Sequence, residues 1–321
     1  MQEPGFIEYI GKSVVILGHH NADPDAVGAA QGVKELIGQI KPDSDVRVVM
    51  PDDISKLSRQ IIDLLELEIS EGYSGVFDTI VIVDSGGLNQ LGEWGDIIKA
   101  HKQVVIVIDH HTLDDELSQC TDLLIHDDRA SSASELVAKL YNQHGVTPSI
   151  NTSKALLAGI VFDTKFFSIG SAKTYETVSI LLSNIGNLSQ VMTLFQTETE
   201  ISEKIARIKT AQRSEIHRIN DYIIAFSEVG SYQASGARAL ISLGADLAIV
   251  VGKEKTGLRA SLRSTQSFFD TSQVHLGELV SEYSNVFSGS GSGHPTAAGY
   301  NGLGDYDEFK QELLKILSEQ L

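Results

Sequence analysis

The residues of this chain that are best suited to chemistry are histidines and aspartates that follow apolar segments. The first group follows the apolar run Val14–Leu17 and contains His19, Asp23 and Asp25. Two carboxylates two residues apart in an extended turn, with an imidazole four residues upstream, can converge on a divalent metal, and mixed donors of this kind suit Mn²⁺. Aspartates here are also typical N-caps of a following helix with Pro24 in its first turn, and the two roles can coexist.

Three further groups have the same placement. An isolated aspartate ends one apolar run, an Asp-His-His tripeptide ends another, and a last aspartate ends a helical segment of small and apolar residues. Alone, each group is also typical of a helix cap, a solvated loop or an exposed helix end. Together, the four groups provide enough donors for two metal ions that share one carboxylate. Such a pair clamps both oxygens of an in-line phosphoryl displacement and lowers the pKa of a trapped water. The donors are His19, Asp23, Asp25, Asp84, His110 and Asp163.

The elements that must position these donors alternate between short β-branched runs and helical patterns. This alternation predicts βαβ units and a parallel sheet covered on both faces. Ligands of such sheets bind at the carboxyl ends of the strands, which is where the donors lie. We predict strands at Val14–Leu17, Val46–Met50, Thr79–Val83, Val104–Ile108 and Leu123–Ile125, and helices at Asp25–Ile40, Ile54–Leu67, Leu88–Ala100 and Ser131–His144.

The second half begins with helices and ends with a new alternation. A long polar stretch without Pro or Gly, Glu198–Asn220, suits a connector helix. We therefore expect an α/β fold in which a parallel-sheet, metal-binding catalytic domain (1–185) is joined by a helical connector (186–220) to a smaller α/β substrate-binding domain (221–321). Within the last domain we predict strands at Tyr222–Phe226, Leu247–Val251 and Gly257–Arg263, and helices at Thr271–Ser284 and Asp305–Leu321.

Charge and composition restrict the partners. The 321 residues include 43 acidic and 25 basic ones, which gives a net charge of −18. Affinity for long nucleic acid comes from Lys and Arg replacing counterions, so we expect no long duplex partner. The single cysteine, Cys120, fits a reducing compartment. The first nine residues contain no basic signal region, and no apolar run approaches the ~20 residues of a membrane span. We expect a cytoplasmic protein without a membrane partner, and a homodimer stays open.

The four donor groups together resemble the DHH phosphoesterase family, which reads H-x-x-x-D-x-D, an isolated D, then D-H-H, then a final D. Gly289–Gly299, GSGSGHPTAAG, resembles the GGGH-x-x-AAG loop of the DHH-associated substrate domain, and Ser261–Ser264 resembles its S-x-R-S strand. By composition alone, SGSGSG is typical of a linker. One departure is Ser292, which stands where a third glycine is usual. A positive φ there would cost on the order of 1 kcal/mol.

The resemblance implies a role for each residue. One Mn²⁺ would be held by His19, Asp23 and Asp84, and the other by Asp25, Asp84, His110 and Asp163, with Mg²⁺ or Co²⁺ as substitutes. Asp109 would orient an imidazole from behind the ligands, and Asp84, His110 and His111 would be catalytic, His111 facing the scissile phosphate. The substrate residues would be Arg263, Ser264, Gly291, Ser292, Gly293 and His294, with the backbone N–H groups of the glycines cradling a phosphate. The less favoured alternative for Arg263 is an ordinary surface arginine.

The segment Arg129–Glu135 also resembles family sequence near the active site, and it equally suits a serine-rich helix N-cap. From the resemblance as a whole we expect two-metal hydrolysis of short oligonucleotides, dinucleotides or 3′-phosphoadenosine 5′-phosphate (pAp), as in the oligoribonuclease and pAp-phosphatase branch of the family. Cyclic dinucleotides are further candidates. The main alternative is a RecJ-type single-strand exonuclease, although a basic aromatic channel is not apparent. A pyrophosphatase or exopolyphosphatase is less favoured, because such relatives lack the glycine-rich loop. The last alternative is a metal-binding regulatory or scaffold protein that has lost catalysis. A missing metal ligand would be its sign, and none of the family's ligands is missing from this sequence.

Overall fold

The computed structural model describes residues 5–51, 53–70, 72–73, 75–100, 102–196, 200–254, 257–286 and 288–321. The chain divides after Gln196 into two compact units. The segment 186–220, expected as one connector, is shared between them, and its residues 197–199 lie outside the described residues. Among the described residues, no single helix is long and apolar enough to span a membrane. Two segments bent by 92° at their junction, Ala172–Ile185 and Ser189–Phe195, pass that test only as a pair.

The first unit is built on the expected parallel sheet. Its order is β2-β1-β3-β4-β5, and every neighbouring pair is parallel. The three central strands are almost entirely buried because helices cover both faces, which explains their uninterrupted β-branched sequences. The five predicted strands are confirmed within one or two residues. They are β1 Ser13–Leu17, β2 Asp45–Val49, β3 Thr79–Val83, β4 Val104–Asp109 and β5 Leu123–His126.

The helices of this unit follow the predicted pattern with one correction, and the short helix between β4 and β5 was not predicted. The expected helix over 88–100 is a 3₁₀ turn at Leu88–Gln90 followed by the short α3, because Gly92 takes a φ of +56° between them. One face of the sheet packs on α1, α5 and α6, and the other packs on α3 and α4. The helices are α1 Pro24–Ile40, α2 Lys56–Leu65, α3 Trp94–Lys99, α4 Asp115–Cys120, α5 Ala133–His144, α6 Ile150–Asp163, α7 Ala172–Ile185 and α8 Ser189–Met192.

The second unit contains a six-stranded mixed sheet of order β10-β11-β9-β8-β7-β6. Only the β7–β8 pair is parallel. One face carries the larger apolar core with α11, α12 and α13, and the other carries a smaller core with α9 and α10. The strands are β6 Glu215–Ile219, β7 Tyr222–Glu228, β8 Leu247–Glu254, β9 Gly257–Ser264, β10 Gly289–His294 and β11 Ala297–Gly302. The helices are α9 Ile201–Gln212, α10 Gln233–Ser242, α11 Gln266–Ser272, α12 Leu276–Val286 and α13 Tyr306–Gln320.

Three expectations for this unit are wrong. The helix expected over 198–220 ends at Gln212, and β6 follows, joined to β7 through Asn220 at a φ of +52°. The helix expected over 271–284 is two helices, because Gln273 takes a φ of +60° between them. The glycine-serine run is neither a linker nor a loop: it is the edge strand β10, paired in antiparallel register with β11.

Candidate metal centre and phosphate-binding face

The candidate metal centre lies at the carboxyl ends of the central strands of the first unit. Asp84 and His110 directly follow β3 and β4, and His19 follows β1 after Gly18. Asp23 is the N-cap of α1, and its Oδ1 accepts hydrogen bonds from the N–H groups of Asp25 and Ala26. The carboxyl ends of adjacent parallel strands meet at one sheet edge, so residues distant in sequence converge here.

The donor atoms form two groups that meet at Asp84. In the first, His19 Nε2 lies 3.8 Å from Asp23 Oδ1 and 3.6 Å from Asp84 Oδ2. In the second, His110 Nε2 lies 3.6 Å from the other oxygen of Asp84, Oδ1, and 3.3 Å from Asp163 Oδ2. Within each group the donor atoms lie no more than 4.8 Å from one another, and Asp25 belongs to the second group. Asp84 thus turns one oxygen towards each group.

The centre contains polar atoms that the protein itself does not satisfy. Asp84 Oδ1 and His110 Nε2 are buried, and neither has a hydrogen-bond partner among the described residues. Leaving a buried polar group unpaired costs about 1–3 kcal/mol. Carboxylate and imidazole donors suit Mn²⁺ and similar divalent ions. The unsatisfied atoms and the donor set therefore both fit a pair of divalent cations.

The electrostatics of the centre reflect this crowding of charge. Burial lowers the pKa of His19, but Asp23 and Asp84 outweigh it and raise that pKa to about 10. Burial likewise opposes protonation of His110, while Asp163 and Asp84 raise its pKa to about 10. Burial and the neighbouring carboxylates raise the pKa of Asp25 well above its ordinary value. Without cations, the imidazoles of His19 and His110 therefore favour their protonated forms.

Asp25 is held by the start of α5. Its Oδ2 accepts a hydrogen bond from the N–H of Ala133 at 2.7 Å, and its Oδ1 accepts one from the N–H of Ser134 at 2.9 Å. Ser132 is the N-cap of the same helix. The serine-rich segment is therefore both a helix cap and a neighbour of the candidate centre, so the two interpretations of Arg129–Glu135 are compatible.

Sequence reasoning did not single out two residues that shape this contact. A Cβ atom on Gly159 would lie 2.6 Å from Asp25 Oδ1 and 2.3 Å from Ser134 Oγ, and one on Gly28 would lie 2.9 Å from the same Oγ. Only glycine lets α1, α5 and α6 approach this closely. The signal in the sequence is a glycine inside an apolar helix, four residues before the aspartate that ends it.

Asp109 and His111 form a pair beside the centre. Asp109 is fully buried, and its Oδ1 accepts the backbone N–H of His111 at 2.9 Å and lies 3.0 Å from His111 Nδ1. This contact with Asp109 raises the pKa of the imidazole. His111 also lines an open cleft of about 670 Å³, together with His19, Asp84, Asn89 and Asp163.

The substrate residues expected in the second unit fall on opposite faces of its sheet. Directly opposed residues of antiparallel strands share a face. His294 of β10 is opposite Ala297 of β11, which is opposite Arg263 of β9. Ser292 shares that face, since strand side chains alternate. The result is an exposed polar face with small residues between His294 and Arg263.

The remaining expected residues belong to the opposite, apolar face of the sheet. Gly291 is opposite Tyr300 and Gly293 is opposite Ala298, both in the apolar core, and Ser264 is opposite the core residue Leu247. A Cβ atom on Gly291 would lie 2.6 Å from the carbonyl oxygen of Val280 in α12.

The expected cradle of backbone N–H groups is corrected, because successive N–H groups of an extended strand alternate in direction and do not converge on one phosphate. These glycines allow a helix to pack closely on an extended strand, and Ser292 has no positive φ and carries no strain.

Arg263 is the half-buried cation of the polar face. Its guanidinium donates to the carbonyl oxygen of Leu262 at 2.7 Å. In the part of the chain that the structure describes, it forms no ion pair with a carboxylate. Burial and the nearby charge of Arg238 lower its pKa. A desolvated guanidinium without an acidic partner is a favourable site for a phosphate.

Comparisons with known proteins agree with this architecture. A family model described as the DHH family, N-terminal domain, matches residues 13–160, and a DHHA1 domain model matches residues 234–321. An uncharacterized protein of Methanocaldococcus jannaschii is 36% identical over 313 residues, 96% of this chain and 93% of that protein. The probable bifunctional oligoribonuclease and PAP phosphatase NrnA of Streptococcus mutans is 26% identical, over 95% of each chain.

A solved structure shares the fold as well. An exopolyphosphatase-related protein from Bacteroides fragilis aligns with a TM-score of 0.55 at 20% identity, over 95% of this chain and 92% of that one. The fold, its donor cluster and these relatives define a phosphoester hydrolase. The chain belongs to the DHH family, and its second unit contains a DHHA1 domain. The expected family, fold class and enzyme class are confirmed.

Proposed function

We propose that this enzyme uses two divalent cations, Mn²⁺ in the first place, to hydrolyse short oligoribonucleotides and the phosphate monoester of pAp. The observation that carries the proposal is the position of Asp84, whose two oxygens face two separate histidine–carboxylate groups. The relative from Streptococcus mutans supports the substrate class, because it matches over 95% of both chains. Its name states an oligoribonuclease and PAP phosphatase activity for that protein.

In this proposal five of the donors belong to one cation each, and Asp84 belongs to both. His19 and Asp23 hold the first cation, His110, Asp25 and Asp163 hold the second, and Asp84 contributes to both. When bound, two such ions neutralise the charge on the phosphate oxygens and lower the pKa of a bound water towards neutral pH. The protein's own contribution is to fix the donors on strand ends and helix ends that are packed into the core, so little reorganisation is needed.

His111 is proposed to contact the phosphate. Its Nδ1 faces the buried Asp109, which favours the protonated imidazole and fixes the orientation of the ring. The opposite nitrogen, Nε2, is then a donor for a phosphate oxygen or for the oxygen that leaves. His111 lines the open cleft, in contrast to the buried Asp109, and this exposure suits a group that meets substrate.

Recognition of a substrate phosphate is assigned to the polar face of the second unit. Arg263 would pair with a terminal phosphate through its guanidinium, and His294 and Ser292 would add hydrogen bonds from the same face. Such a local cationic face is unusual in a chain with a net charge of −18. Because the overall negative charge repels long nucleic acid, we expect this face to bind short anionic ligands rather than long strands.

A hydrolysis panel tests the proposal. Purified protein would be supplied with Mn²⁺, Mg²⁺ or Co²⁺ and assayed on dinucleotides, pAp, cyclic dinucleotides, single strands of ~20 nucleotides, longer than one ~4–16-nucleotide binding site, and pyrophosphate. The expected result is fastest turnover of dinucleotides and pAp. An Asp84→Ala preparation assayed in parallel excludes a contaminating nuclease. Fast degradation of long strands would favour the RecJ-type alternative instead, and turnover of pyrophosphate alone would refute the proposal.

A further inference from the structure

A further buried carboxylate, Glu135, lies in the first turn of α5. Its side chain is fully buried, and Oε2 accepts hydrogen bonds from the N–H and the Oγ of Ser131, at 2.9 and 2.8 Å. The same oxygen accepts a third hydrogen bond from Thr174 Oγ1 at 2.9 Å, and Lys139 Nζ lies 2.7 Å from Oε1. A buried charge is tolerated only when it is paired and hydrogen-bonded in this way.

The backbone that Glu135 fixes is the backbone that holds Asp25. The two N–H groups that bind the Asp25 carboxylate belong to Ala133 and Ser134. Both residues lie between Ser131 and Glu135, which are joined by two hydrogen bonds. Glu135 therefore closes the turn that contains these two N–H groups, and its hydrogen bond with Thr174 links that turn to the start of α7.

We propose that Glu135 is a positioning residue that aims the Asp25 carboxylate at one of the two cations, through the N-terminal turn of α5. The proposal rests on the proposed two-metal function and adds a residue that contacts neither substrate nor metal. The proposal also makes a specific prediction about the two cation sites. Asp25 belongs to the donor group with Asp84, His110 and Asp163, and it is absent from the group with His19 and Asp23. A defect at Glu135 should therefore weaken one cation site and spare the other.

The network at Glu135 keeps the charge that this role needs. Burial alone raises the pKa of its carboxyl group, but Lys139, Ser131 and Thr174 together bring that pKa below its usual value. An ionised acceptor for Ser131 N–H and Oγ is stronger than a neutral one. Replacing Glu135 with glutamine keeps the shape of the side chain and removes the charge.

The test is calorimetric titration of metal-free protein with Mn²⁺, with thermal unfolding measured on the same samples. The expected result for Glu135→Gln is a Kd increase of about 10–100-fold at one of two sites, the usual range for a partner of a ligand, with the other site unchanged.

Glu35→Gln is the matched control. Glu35 likewise accepts bonds from a serine N–H, that serine's Oγ and a threonine Oγ1, at the start of α6, where no candidate ligand lies. It should lose stability while both sites keep their Kd.

A second pair of variants covers the case in which Glu135→Gln does not fold. Thr174→Val removes one hydrogen bond to Glu135, and Thr152→Val removes the corresponding bond to Glu35. Both threonines occupy the third position of their helices. We expect Thr174→Val to weaken one Mn²⁺ site by a smaller factor than the glutamine variant, and Thr152→Val to weaken neither.

The outcomes separate this inference from the proposed function. Wild-type protein that binds fewer than two Mn²⁺ overturns both. Wild-type protein that binds two, with unchanged affinities in Glu135→Gln and Thr174→Val, overturns only the role of Glu135. Equal weakening of both sites, in step with lost thermal stability as in the Glu35 control, also overturns it, because a general loss of structure would then explain the data.

Discussion

Replacing Gly159 with alanine should disable the enzyme without unfolding it. The added methyl carbon would lie 2.6 Å from Asp25 Oδ1 and 2.3 Å from Ser134 Oγ, whereas ordinary contacts begin at 3.4 Å. The two side chains must therefore retreat by about 0.8 and about 1.1 Å, or α6 must move by a similar distance. Overpacking of this kind costs about 1–3 kcal/mol of stability. A misplacement of about 1 Å in a catalytic group costs about 100-fold in rate, so we expect a kcat reduced by about that factor.

The assay is steady-state hydrolysis of a dinucleotide with saturating Mn²⁺, together with Mn²⁺ titration and thermal unfolding. Gly38→Ala is the matched control, because Gly38 is an exposed glycine near the end of α1 with open space around it. That variant should keep its kcat and gain about 0.5–1 kcal/mol of stability, as glycine is unfavourable in a helix. A Gly159→Ala enzyme with wild-type kcat and Mn²⁺ affinity would show that close packing at Asp25 does not matter for activity.

Three further predictions concern the donors and the polar face. Asp84→Ala should reduce kcat by about 100-fold or more, since it removes a donor from both groups, while its circular dichroism spectrum stays near normal. Near-normal turnover of this variant would contradict the assignment. Arg263→Ala should mainly raise KM for substrates that end in phosphate, and an unchanged KM would exclude this contact. Because the pKa values of His19 and His110 are raised to about 10 in the absence of metal, binding of Mn²⁺ at pH 7–8 should release about two protons. Each of the two sites contains one of these imidazoles, so the affinity of each site for Mn²⁺ should rise about 10-fold per pH unit. Calorimetry in buffers of different ionisation enthalpy that finds no proton release would contradict this.

The donor cluster could be predicted from the sequence because its position follows from simple rules. His19, Asp84 and His110 come within two residues of the ends of strands that are recognisable as apolar and β-branched. Parallel strands bring their carboxyl ends to one edge, so the order of the motifs along the chain is enough to bring the donors together. No register or side-chain geometry is needed for that conclusion. The ambiguity between helix cap and ligand at Asp23 also has a physical basis, because the carboxylate acts as the cap and still faces His19.

The second unit was harder because its interpretation depends on which face each residue occupies. Gly291 and Ser292 are adjacent in sequence and belong to opposite faces of β10, and only the register with β11 shows which. A glycine-rich strand has no alternation of polar and apolar side chains, so composition indicates a linker or a loop. The strand β6 was missed for a related reason, since its short polar sequence continues the pattern of α9 until Asn220 allows the chain to turn.

The position of Asp25 shows what sequence patterns cannot supply. The carboxylate is buried, and the charges of Asp84, Asp163 and Asp23 all disfavour its ionised form. Two N–H groups from α5 offset part of that cost, and they are in place only because glycines in α1 and α6 leave room for Ser134. Each of these contributions comes from a different stretch of the chain, and none has a motif of its own. Residues that make a ligand tolerable can therefore be as necessary as the ligand, although only the three-dimensional structure shows them.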